Sequence, residues 1–215
     1  MKIRIVAIVC LGFIASGCAT NRGIVDVNVP EAANPAAASL VKITEVRDRR
    51  VFQIDPPVPS MPSLKNDEIN DPTITERAIA RKRNTYGMGL GDILLPPGRS
   101  VDQLARGALE NALRESGYAV VSEGEPGYET APALTADVEK FWSWMTPGFW
   151  EITLQFEAQV VLKGDWPIEE GKRDVYSLSK VSGMAATTGL WEQVFNTGIA
   201  ELTENVKAVI TEPSK

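Results

Sequence analysis

Hydrophobic and polar residues alternate almost without a break from Trp150 to Lys163. Trp150, Ile152, Leu154, Phe156, Ala158, Val160 and Leu162 fall on one side, and Glu151, Thr153, Gln155, Glu157, Gln159 and Lys163 on the other. Alternation with a period of two marks a half-buried strand. A slip of one residue would turn the whole apolar set to water, so the register is strongly specified. Leu134, Ala136, Val138, Trp142 and Trp144 share a face of a preceding arm, and Ala133 to Lys163 reads as one long hairpin. An odd loop such as Thr146-Pro147-Gly148 sets Trp144 opposite Trp150. A two-residue turn at Pro147-Gly148 would instead place Trp142 and Trp144 against Glu151 and Thr153.

The clearest helix begins at Ser100, which has capping-box spacing to Gln103. Val101, Leu104, Ala105, Ala108, Ala112 and Leu113 form its apolar stripe, and Gly117 stands where a left-handed cap belongs. Thr188 can cap a final helix whose stripe runs through Trp191, Val194, Phe195, Gly198, Leu202, Val206, Val209 and Ile210. Ser39 to Phe52 reads as a first strand, Tyr118 to Val121 as a short return to the core, and Val175 to Met184 as a further strand. Gln53 to Leu64 carries four prolines and suits neither a central strand nor a helix interior. Asp71-Pro72 has the form of a helix start, and the helix is expected to run to Arg83, with Asn84 to Gly98 as a loop. The expected fold is an α+β two-layer sandwich, strand, helix, three strands, helix. It comprises an antiparallel or mixed sheet of about four strands, two helices on one face and the other face solvated, with an insertion at about 53–99.

The N-terminus changes the picture from a fold to an address. Lys2 and Arg4 precede an apolar run from Ile5 to Ile14, which is too short for a permanent transmembrane helix and has the form of a secretory leader. Ala15-Ser16-Gly17-Cys18 resembles a bacterial lipobox, with Ala15 in place of the usual Leu. The expected organisation is a signal peptide over 1–17, a lipid anchor at Cys18 with a tether over 18–38, and a periplasmic domain over 39–215. Fully extended, that tether would reach about 70 Å. Ala19 follows the cysteine where an Asp commonly signals inner-membrane retention, so the periplasmic face of the outer membrane is the expected location.

Composition narrows the chemistry. The net charge is −6, and loss of the leader removes two cations and no acid. An acidic chain argues against general nucleic-acid binding. There is no histidine, and the two cysteines are Cys10, in the leader, and Cys18. His-based triads and zinc sites are therefore excluded, and no disulfide can form in the mature chain. No cofactor motif is expected. Ser177-Leu178-Ser179-Lys180 has S-x-x-K spacing but lies in a strand pattern without a K-T-G partner, and Ser39 to Lys42 repeats the spacing, so chance accounts for it. Gly87-Met88-Gly89-Leu90-Gly91 is not a dinucleotide fingerprint. Asp137, Glu139, Glu151 and Glu157 sit on the polar face of the hairpin. A carboxylate-dependent glycan hydrolase is the alternative they leave open, although a regularly alternating face offers no cleft.

Two groups of residues are candidates for partner contact. Arg77, Arg81, Lys82 and Arg83 form the one basic cluster. They are read either as a contact for an anionic envelope component or as cations at a helix C-terminus. Trp142, Trp144 and Trp150, near the hairpin tip, are read either as a binding hot spot or as core. The lipobox-like leader, the helix ending Leu113-Arg114-Glu115-Ser116-Gly117-Tyr118, the long hairpin and the terminal amphipathic helix together resemble the YajG-type family of uncharacterised bacterial lipoproteins. The expected function is a binding or adaptor module for an envelope or surface-structure assembly, and the resemblance implies a membrane-anchored, non-enzymatic periplasmic domain. It implies no catalytic residue.

Overall fold

The computed structural model describes residues 22–35, 39–164 and 171–211. The leader, Cys18 and Ala19 lie outside the described residues. The strands are β1 (Gly23–Ile24), β2 (Ser39–Asp48), β3 (Ala78–Arg83), β4 (Gly89–Leu94), β5 (Tyr118–Val120), β6 (Ala133–Pro147), β7 (Ile152–Gly164) and β8 (Lys172–Gly183). The helices are the short α1 (Pro72–Thr75), α2 (Val101–Glu115) and α3 (Thr188–Thr211). The four-strand sandwich expected from sequence is thus corrected, among the described residues, to an eight-stranded mixed sheet with three α-helices.

Strand β6 is the axis of this sheet. One edge pairs antiparallel with β7, which pairs antiparallel with β8. The other edge is shared end to end by two parallel strands: β2 takes residues from Ala133 to Val138, and β3 takes Ser143 and Trp144. β5 extends the sheet beyond β2, while β4 and then β1 extend it beyond β3. The stretch expected as an insertion therefore supplies two strands. The helix expected to reach Arg83 ends at Thr75, because Ala78, Ile79 and Ala80 are wholly buried within the sheet and burial outweighs local propensity. At its start, Asp71 Oδ1 accepts from Thr73 N–H, so the capping chemistry is present even though the helix is short.

α2 and α3 pack on each other and bury one face of the sheet in a single core that includes Leu104, Leu109, Leu134, Phe141, Phe156, Trp191 and Phe195. Ser100 N–H donates to Gln103 Oε1 at 3.2 Å, and Gly117 has φ 90°, a conformation that suits glycine after a helix. Ser177 and Ser179 of the S-x-x-K spacing are buried under α3, where they donate to the carbonyls of Gly198 and Val194. Their role is to join strand to helix.

The opposite face is not simply solvated. A register shift between Val138 and Lys140 leaves Glu139 as a bulge in β6, and side-chain parity inverts beyond it. Phe141 and Ser143 join the helix side, opposite Ala158 and Phe156, while Trp142 and Trp144 turn to the back, opposite Glu157 and Gln155. The odd loop is corrected accordingly: four residues, 148–151, close the hairpin, with Gly148 N–H donating to Glu151 O. The Pro-rich segment folds over the two indoles. Pro59 O accepts from Trp142 Nε1, and Leu64, Ala78 and Leu94 complete a second, smaller core with Phe52, Ile69 and Ile74 packed around it.

Candidate functional site

Residues 22–35, expected as free tether, are packed onto the domain. β1 runs parallel to β4, and Val25 and Val27 are buried in the main core. From there the chain straps α2. Asn111 Nδ2 donates to Pro30 O at 2.6 Å, Ala32 N–H donates to Asn111 Oδ1 at 2.8 Å, and Val120 N–H donates to Asn34 Oδ1 at 3.2 Å. Gly107 permits the close approach, since a Cβ there would lie 3.2 Å from Val29.

The strap forms one wall of a groove of about 1220 Å³ whose other walls are α2 and α3. Asp26, Glu115, Glu192, Glu201 and Glu204 line it, and no basic residue does. Lys207 sits beside it and donates to Glu115 at 2.8 Å and Glu204 at 2.9 Å, contacts that raise its pKa. Arg99 lies 3.5 Å from Asp26. Glu192 and Glu201 have no ion-pair partner among the described residues. The groove therefore combines apolar wall with uncompensated negative charge, a surface suited to a cationic amphipathic segment. Sequence reasoning missed it because its acids come from three separate elements. The signal available was the run of exposed-side Glu and Asn along the final helix.

The basic cluster does not form a contact surface as a group. Arg81 and Arg83 share the back face with Trp144 and are 8% and 7% exposed. Arg81 Nη1 lies 3.7 Å from Asp92, and Arg83 donates to Gly87 O and Ser63 Oγ. Burial, and then the neighbouring Arg81, lower the pKa of Arg83. Arg77 is half-buried and donates through Nε and Nη2 to Leu95 O, and Lys82 is half-buried. Of the tryptophans, Trp142 and Trp144 are core and Trp150 stands exposed at the hairpin tip.

Two of the four hairpin carboxylates, Asp137 and Glu157, are held in ion pairs, while Glu139 and Glu151 are exposed. Asp137 lies 2.6 Å from Arg47 and 2.5 Å from Lys163, and the hydrogen bonds from Arg47 and then Lys163 lower its pKa to about 2. Glu157 is 2.6 Å from Lys140. A general acid needs a raised pKa, and the Asp137 environment does the reverse. Among the described residues, no group of three or more ligating side chains is placed to hold a metal ion, and no helix is long and apolar enough to cross a membrane.

No family model matches the chain, and no curated protein matches it. A solved structure titled only as that of an uncharacterized protein is similar at a TM-score of 0.47 and 11% identity, over 89% of this chain and 99% of that one. A likeness of that degree carries no argument about function.

Proposed function

We propose that the protein is a lipid-anchored, non-enzymatic binding module on the periplasmic face of the outer membrane, with the α2–α3 groove as its partner site. The observation that carries this reading is the groove itself: a concavity with no base in its lining, in which Glu192 and Glu201 have no ion-pair partner among the described residues. Its occupant would be a cationic segment of an envelope protein, drawn by the uncompensated charge and held by the apolar wall. The anionic partner suggested by the basic cluster loses support because two of its four cations are buried. The ion pairs of Asp137 and Glu157 support a non-enzymatic reading, since they leave those carboxylates committed to structure.

A fluorescent amphipathic peptide rich in lysine tests the groove. It should bind, and replacing Glu192 and Glu201 together by Lys should weaken binding at least tenfold, with a smaller difference at high salt. Equal binding by both proteins would remove the groove from consideration. The anchor is tested separately by mass spectrometry of the N-terminal peptide, which should carry lipid on Cys18.

A further inference from the structure

Three turns meet at one end of the sheet, the end where β6 finishes. Parallel pairing with β6 brings β3 to this end, so the β3–β4 turn, 84–88, lies there. Loop 148–151 joins β6 to β7, and β8 ends opposite Ile152, which places Met184 alongside. Each turn presents large apolar side chains to solvent: Tyr86 is 88% exposed, Met88 60%, Phe149 88%, Trp150 84% and Met184 92%. Phe149 and Trp150 pack edge to face at 4.7 Å and form one aromatic tip. Across residues 84–88, 148–151 and 184–187 the only charge is Glu151. Scattered exposed apolar residues are ordinary; five of them on adjoining, nearly uncharged turns are not.

The direction of the chain says what faces this end. β1 runs parallel to β4, with Gly23 beside Ile93, and β4 starts at the tip end. Arg22 therefore lies on the tip side of Gly23, where it pairs with Asp92 at 3.1 Å and Glu68 at 2.8 Å. Four peptide units join Cys18 to Arg22 and reach about 14 Å at most. From Asp92 to the start of β4 is about 10 Å, whereas the far end of the 15-residue β6 is roughly 50 Å from its tip. A lipid on Cys18 can thus reach a bilayer at the tip end and not at the other.

We propose that the tip end of the sheet is a membrane-contact surface, with Tyr86, Met88, Phe149, Trp150 and Met184 entering the interfacial layer of the bilayer. Tryptophan and tyrosine suit that layer because each has an apolar body and a polar edge. With no basic residue on the three turns, the contact is apolar and needs no anionic lipid. The direction of the leash rests on the lipid-anchor reading, while the composition and exposure of the turns do not.

The test uses the intact protein with phosphatidylcholine vesicles brominated on the acyl chains, which quench tryptophan only at close range. Emission should be quenched, the quenched component should disappear in Trp150→Phe, and about 0.5 M salt should leave it unchanged. Phe149→Ser with Met184→Ser, both at exposed positions, should reduce quenching at least twofold. Membrane-bound protein, lipidated on Cys18, whose emission is not quenched overturns the contact while the anchor stands, and leaves the turns to a protein partner. Unmodified Cys18 with quenching on added vesicles overturns the anchor and supports the contact. Absence of both lipid and quenching overturns both.

Discussion

The Arg50 guanidinium donates to Phe141 O at 3.1 Å, and the same Nη1 reaches Ala78 O at 2.5 Å. These bonds lie in the gap between β2 and β3 on the shared edge of β6. The Arg50 side chain is fully buried and is neutralised by Asp48 at 2.6 Å. A single residue so joins the two parts of the sheet. Arg50→Met keeps the bulk, strands the Asp48 carboxylate and leaves the carbonyls of Thr75, Ala78 and Phe141 without this donor. A loss of about 3–5 kcal/mol is expected in urea unfolding, the range for breaking a buried pair from one side.

Asp137 sets an acid limit on stability. Its pKa is lowered in the folded chain from 3.8 to about 2, so its contribution is complete above the unfolded value and is lost as pH falls towards the folded one. Stability measured against pH should therefore decline from 3.8 towards about 2 partly through this group. In Asp137→Asn that part of the slope should vanish, and the protein should be less stable at neutral pH.

Gly198 brings α3 close to β7. A Cβ at this position would collide with the Phe156 ring, and that ring is itself packed edge to face against Phe141 and Phe195. Gly198→Ala gains about 1 kcal/mol of helix propensity. Overpacking costs about 1–3 kcal/mol and involves a ring that cannot move away. A net decrease in thermal midpoint is the expected result.

Two tryptophans of the same hairpin should respond oppositely to truncation. Trp142→Ala empties the back-face core and removes the donor to Pro59 O, with an expected loss of about 3–5 kcal/mol. Trp150→Ala removes an exposed ring and should change stability by no more than about 0.5 kcal/mol. Denaturant midpoints of the two variants decide the assignment of core and surface.

The second arm of the hairpin, α2 and α3 were legible because the apolar positions of each face a single core, so a local period reports burial. The tryptophan placement was not, because it turns on Glu139. One bulged residue inverts every side chain after it, and its signal in the first arm is slight: unbroken alternation from Val138 would put Lys140 on the apolar face and Phe141 on the polar one. The β3 segment was hidden for a different reason. Arg77, Arg81, Lys82 and Arg83 look like a solvated helix end, yet Arg81 and Arg83 are burial partners of Asp92 and Ser63, and those contacts are tertiary. The groove shares this origin, since Asp26, Glu115 and Glu201 come together only through the docking of the strap and the packing of α2 on α3.

The shared edge of β6 also dictates an order of events during synthesis. β2 and β3 leave the ribosome long before β6, so neither can find its principal neighbour while the first half of the chain is emerging. The β3–β4 hairpin and α2 can form from local contacts, but the strands that join them to the rest must wait for residues up to Trp144. Loop closure over such separations is slow, and unpaired strands are prone to aggregate in the interval. Late arrival of its central strand therefore keeps the chain open through most of its synthesis. If the chain is exported as proposed above, that openness would leave it fit to be threaded unfolded through a translocation pore.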